Sequence, residues 1–278
     1  MIVDEHIHLG GLFQDTDYFL KCLDECKIDF VLATPYMFEE KDIPRSLKMK
    51  SIPPWLAGTS LASNLITTVM KNKRFRRRYI EKPPNYYVAE ISRKCPERVY
   101  GVYWINPNVE GVREVESYLN DYDFVAIKLH QVLYPCELEK KNLELFDLAN
   151  EYRVPVFIHV DSVKDMSILF RQMDKKPDLS VIVAHMSYFE EVAEELNNYP
   201  NMYFDISPAY AYKSNRIIDA VQKVGAGRLI FGSDAPCPGA QKYAVNKLRS
   251  LALTEDDKNK ILGENIINLI SKRTTLKN

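Results

Sequence analysis

The chain has 278 residues, 46% hydrophobic and 27% charged, an ordinary balance for a globular protein with a sizeable core. Its 37 basic and 38 acidic residues leave a formal net charge of −1, which argues against nucleic acid as a partner. No apolar run approaches the ~18 residues of a membrane span, and the N-terminus enters a strand without a basic leader or cleavage site. The five cysteines, Cys22, Cys26, Cys95, Cys136 and Cys237, are an odd, scattered set. They read as reduced thiols of a cytoplasmic protein rather than a disulfide framework.

Strand-like and helix-like segments alternate along the chain. Ile2–His8 reads as the first strand. Thr16–Cys26 then places Phe19, Leu20 and Leu23 on one helical face, and Phe30–Thr34 is a second strand. From Pro35 to about Pro84 there is far more chain than one crossover needs. This 35–84 segment is expected to be a lid or specificity element over the barrel mouth, because long structured loops in compact domains tend to be functional. Its basic run Lys71–Arg78 reads as a solvated helix face, given the near-zero net charge, with an arginine reaching the site as an open option.

The remaining strands are Val99–Ile105, Phe124–Leu129, Val154–His159, Ser180–His185, Met202–Ile206 and Leu229–Ser233. Helical stretches fall at Val109–Leu119, Lys140–Tyr152, Phe189–Asn197, Ser214–Val224 and Gly239–Leu251. Eight strands separated by helices predict a parallel α/β sheet closed as a (β/α)8 TIM barrel, with residues 1–278 as one domain and an insertion after strand 2. An open doubly wound sheet lacks support, since no strand runs into a Gly-rich phosphate turn.

The chain has five histidines, and all lie at or just beyond strand ends: His6, His8, His130, His159 and His185. Alternation along a strand projects His6 and His8 from one face, and two converging imidazoles are half of a metal site. In a parallel barrel the C-terminal strand ends meet at one mouth. His6, His8, His159 and Asp234 can therefore supply a zinc-like ligand set. Water on such an ion is acidified toward ~pH 7, a nearby carboxylate can take its proton, and a nearby histidine can polarise a carbonyl. Lys128 shares a face with His130. It reads as a carbamylated metal bridge, an anchor for a substrate carboxylate, or a barrel-lining charge. His130 reads as a substrate-binding residue or a structural hydrogen-bond partner. Asp4 is expected on the inward face below His6, where it could orient a ligand or lysine. Asp205 is a weaker supporting candidate, and Cys237 a bystander.

These residues occur in segments that resemble the amidohydrolase superfamily, and within it the amidohydrolase-2 family of metal-dependent hydrolases and decarboxylases. The matching segments are Asp4–His8, Ala126–His130, Val156–His159, Val183–His185, Phe231–Pro236 and Ile261–Asn265, in order from end to end. The 35–84 segment has no match. The resemblance implies a barrel with one divalent ion, usually Zn2+, held by His6, His8, His159 and Asp234, with Mn2+ or a second ion as variants. It implies that His185 touches substrate or bound water and that Lys128 is generally not a bridging carbamate. The expected activity is a hydrolase using a metal-bound hydroxide on a small amide, ester or lactone, with Asp234 and His185 catalytic and Lys128 and His130 binding substrate. A nonoxidative decarboxylase of an aromatic or enol acid is the alternative enzyme, and a non-catalytic metal-binding barrel the alternative of another class. The expected partner is a small-molecule substrate, and a homo-oligomer is compatible with the sequence.

Overall fold

The computed structural model describes residues 1–36, 81–139, 143–209, 213–236 and 240–273. Eight strands follow one another in chain order around a single sheet: β1 Val3–Leu9, β2 Phe30–Pro35, β3 Val99–Trp104, β4 Phe124–His130, β5 Val156–His159, β6 Val181–Val183, β7 Met202–Asp205 and β8 Leu229–Ile230. Each pairs in parallel with the next. β8 is short, and the ring is closed by the chain that follows it. The Glu5 amide donates to Phe231 O (3.1 Å), the Asp234 amide to His6 O and the His8 amide to Ala235 O (2.8 Å each). The fold is the expected (β/α)8 barrel.

Helices cover the outside: α1 Thr16–Cys26, α2 Asn85–Lys94, α3 Val112–Asp121, α4 Leu143–Tyr152, α5 Val163–Lys175, α6 Phe189–Val192, α7 Ser214–Val224 and α8 Ala240–Ser250. α2 and α5 were not among the expected helices. α5 carries a local signal: Ser162 and Asp165 form a reciprocal capping box at its start. At the C-terminus α9 (Glu255–Asn259) runs through a π turn at Lys260–Glu264 into α10 (Asn265–Ile270). Asn265 ties this tail to the barrel, its amide donating to Ala226 O and Leu229 O, both at 2.8 Å.

The core has two parts. Val3, Leu32, Val102, Ala126, Phe157, Ile182 and Ile230 come from seven of the strands and pack with Ile266 and Leu269 of α10. Val3, Ala126 and Phe157 precede the histidines on their strands, so this apolar plug fills the N-terminal half of the barrel and leaves the C-terminal half to polar groups. A larger layer, including Phe19, Leu23, Val115, Phe146, Leu169, Ile217 and Leu248, seals the helices to the sheet.

Two strand ends differ from expectation. β6 stops at Val183, and His185 sits in a helical turn, Ala184–Met186, with φ at +60°. Its amide donates to the Asp205 carboxylate instead of continuing the ladder. β8 stops at Ile230 because Phe231 already turns its carbonyl to β1. Residues 37–80 of the expected insertion, with Arg45 and the Lys71–Arg78 run, lie outside the described residues, as does Cys237. Among the described residues Cys22, Cys26, Cys95 and Cys136 form no disulfide. No described helix is long and apolar enough to cross a membrane.

Gly101 in β3 is a packing requirement. A Cβ there would lie 2.6 Å from the buried Phe124 ring. Gly101→Ala is expected to cost about 1–3 kcal/mol in urea unfolding through overpacking, with divalent-ion binding unchanged. A variant as stable as the parent would show that the ring gives way without cost.

Candidate metal centre

The two histidines of β1 are fixed from behind. His8 Nδ1 lies 3.0 Å from the Pro35 carbonyl, which can only accept, so Nδ1 carries the proton; Thr34 Oγ1 lies at 3.0 Å on the same side. His6 Nδ1 donates toward the Asp205 carboxylate (3.0 Å), with Ser207 Oγ at 2.8 Å. In both rings the lone pair is therefore on Nε2, and both Nε2 atoms face the barrel axis. Anchoring one nitrogen so that the other can ligate is the usual arrangement around metal-binding histidines.

Asp234 meets these lone pairs from the far side of the ring closure. Its Oδ1 lies 3.6 Å from His6 Nε2 and 3.6 Å from His8 Nε2. Its backbone is left-handed (φ +57°), a conformation enriched in Asp and Asn, and its side chain is 35% exposed at the mouth. His6, His8 and Asp234 form one compact group of metal-capable atoms among the described residues, all within 4.8 Å of one another. The fit to a cation is visible directly. The Lys128 ammonium, 1% exposed, lies 2.9 Å from His6 Nε2 and 3.4 Å from His8 Nε2, donating into the lone pairs an ion would take.

Electrostatics match this arrangement. Burial, and then the neighbouring Lys128, hold His6 and His8 well below the usual histidine range, so both are neutral at pH 7 as ligation requires. Burial lowers Lys128 to about 8, against the pull of Asp234, Glu5 and Asp205. Burial, with His185 and Lys128, likewise lowers His159.

The structure places the other expected residues as follows. His159 stands outside the compact group. Its ring lies flat on His130 (centroids 4.3 Å apart, 5° between planes) with its edge toward His185. Its Nδ1 is buried and makes no well-formed hydrogen bond, with only its own and Val160's backbone beside it. His130 accepts at Nδ1 from the Leu133 amide (3.3 Å). His185 donates from Nδ1 to Ser207 O (2.9 Å) and stacks against His6. Asp205 lies at the end of β7, fully buried, with its carboxylate on His6, the His185 amide and Ser207.

Asp4 is a correction. β1 shifts register between Asp4 and Ile7, and Asp4 turns to the helix layer, accepting from the Ser233 amide (2.8 Å), Ser233 Oγ (2.6 Å) and Gln241 of α8 (3.2 Å). It holds the turn that presents Asp234, and its side-chain partners are Ser233 and Gln241 rather than a histidine ring or Lys128. Burial raises it to about 7. Glu5 takes the inward role. Burial and then Asp205 push it well above the usual carboxylate range, and its Oε1 has no partner. The sequence reasoning also missed Thr34, Ser207 and Trp104. Trp104 alone had a legible signal, since it follows Val102 by two on β3 and so shares the inward face.

Two substitutions test this packing. Ser207→Ala removes a contact shared by His6 and His185 and is expected to weaken Zn2+ or Mn2+ binding about 10–100-fold in titration calorimetry. Gly232→Ala would place a Cβ 2.7 Å from both Asp205 Oδ1 and His6 Cβ, and is expected to weaken binding as well as stability. Parent-like affinity in both would show that these contacts do not set the geometry.

A family model described as amidohydrolase matches residues 3–270. No curated protein sequence gives a significant match. Solved structures of similar shape include 2,6-dihydroxybenzoate decarboxylase from Rhizobium (TM-score 0.64, 16% identity, 98% of each chain covered). Another is a dihydroxybenzoic acid decarboxylase from Polaromonas with bound manganese and an inhibitor (TM-score 0.63, 16% identity, 100% of this chain and 99% of that one). A third is described as a probable 2-pyrone-4,6-dicarboxylic acid hydrolase from Acinetobacter baumannii (TM-score 0.67, 14% identity, 97% and 99% covered). At these identities the structural likeness shows the fold. The family match, running from β1 through α10, shows that the chain belongs to the amidohydrolase family.

Proposed function

We propose that this chain is a metal-dependent hydrolase of a small amide, ester or lactone, working as one barrel domain. The observation that carries the reading is the convergence of His6 Nε2, His8 Nε2 and Asp234 Oδ1, with a lysine ammonium already donating into the two histidine lone pairs. His6, His8, His159 and Asp234 would hold one divalent ion, Zn2+ by preference, with Mn2+ supported by the manganese-bound Polaromonas structure. When bound, the ion supplies Lewis acidity, polarising a carbonyl and acidifying water toward ~pH 7.

The chain's own groups do the rest. Asp234 is the general base: its carboxylate reaches the mouth and can take a proton from water. His185 is held through Nδ1 on the Ser207 carbonyl, which leaves its Nε2 edge to face substrate and to stabilise a developing negative oxygen. With an ion on the two lone pairs, Lys128 would have its ammonium available to an anionic group of the substrate. That same ammonium favours a second reading, decarboxylation, in which it holds the substrate carboxylate.

Purified protein is expected to take up about one ion, and His159→Ala and Asp234→Ala are each expected to lower metal content, read by elemental analysis. Unchanged occupancy in both would refute the ligand set. A panel of amides, esters, lactones and aromatic or enol acids, run in oxygen-18 water, separates the reactions. One labelled oxygen entering the organic product is expected. Release of carbon dioxide with no oxygen-18 in the organic product would replace the hydrolase by the decarboxylase.

A further inference from the structure

We infer that His130 is a positioning residue for His159, acting through ring stacking, with Trp104 as the backing wall. The inference rests on the proposed metal centre and adds a role that centre does not itself assign.

The histidines of β1 and β5 are held by different means. His6 and His8 are fixed through Nδ1 by hydrogen bonds to Asp205, Ser207, Thr34 and the Pro35 carbonyl. His159 has no side-chain anchor of that kind: its buried Nδ1 makes no well-formed hydrogen bond and lies against its own and Val160's backbone. What defines its ring plane is packing. His130 and His159 are register partners on neighbouring parallel strands, joined by the Gln131 amide to His159 O at 2.9 Å. Adjacent strands are spaced by ~4.8 Å, which brings same-face rings to stacking distance. Here the centroids are 4.3 Å apart and the planes 5° from parallel.

His130 is in turn fixed on both sides. The Leu133 amide donates to its Nδ1, and its other face lies near-parallel to Trp104, 5.8 Å away at 20°. Trp104 is fully buried, yet its indole N–H has no hydrogen-bond partner. Its contact with His130 is made by the flat face of the indole and not by its N–H. Trp104, His130 and His159 make a three-ring stack running from β3 to β5. A ring at position 130 serves this role whether or not it can hydrogen-bond; a substrate-binding His130 would need its nitrogens.

The test is Co2+ titration of the full chain, read by the visible ligand-field spectrum and by affinity, for the parent, His130→Ala, His130→Phe and His159→Ala. His130→Ala is expected to weaken Co2+ binding about 10–100-fold and to alter the spectrum. His130→Phe keeps a flat ring and is expected to recover most of both. Thermal melts check folding, and Trp104→Phe, which preserves a ring, is expected to behave as the parent. If His159→Ala loses Co2+ while His130→Ala binds as the parent does, the inference is overturned and the metal centre stands. If His130→Phe fails as badly as His130→Ala in a folded protein, nitrogen chemistry rather than stacking is responsible and the inference is likewise overturned. If the parent or His159→Ala gives no metal-dependent signal difference, the metal centre itself falls.

Discussion

The seam between β1 and the chain after β8 is the constraint on which the rest depends. Three backbone hydrogen bonds, from the amides of Glu5, Asp234 and His8, close the barrel. They also set Asp234 against His6 and His8, so the closure of the fold and the assembly of the metal-capable group are one event. Asp4 reinforces the seam from outside by holding both the amide and the hydroxyl of Ser233, one residue before Asp234. Gly232 permits it, since a side chain there would collide with His6 and Asp205.

The barrel lumen then sets the electrostatics. Apolar residues and α10 fill its lower half, so the polar groups above are cut off from water on one side. Burial there keeps His6, His8 and His159 neutral and draws Lys128 down to about 8, while raising Glu5. Water-poor surroundings disfavour every isolated charge, and they strengthen the response of whatever charge remains. A divalent ion placed there would meet uncharged lone pairs already oriented by Asp205, Ser207, Thr34 and Pro35.

Much of this was legible in advance. The alternation of strand and helix predicted the barrel, because parallel strands need crossovers and eight such units close naturally. His6 and His8 were legible because an i, i+2 pair on a strand must share a face. Asp4 was misread by the same rule, since a register shift within β1 breaks the alternation. His185 was placed on a strand that stops two residues earlier, because its amide prefers the Asp205 carboxylate of the next strand. Ser207 and Thr34 gave no signal, as hydroxyl residues near strand ends are common and their partners lie far away in sequence.

By itself, the sequence determined the periodicities and residue types: eight apolar strands, the donor atoms at their ends and the family segments that contain them. Those are local properties, carried by spacing along one stretch of chain. Tertiary structure decided the rest: which nitrogen of each histidine faces inward, that Lys128 sits between them, that His159 stands beside the compact group and leans on His130, and that Asp4 serves the turn and not the centre. Each of these depends on groups brought together from strands tens to hundreds of residues apart. Only the closed sheet, with its registers and one irregularity in β1, specifies which of them meet.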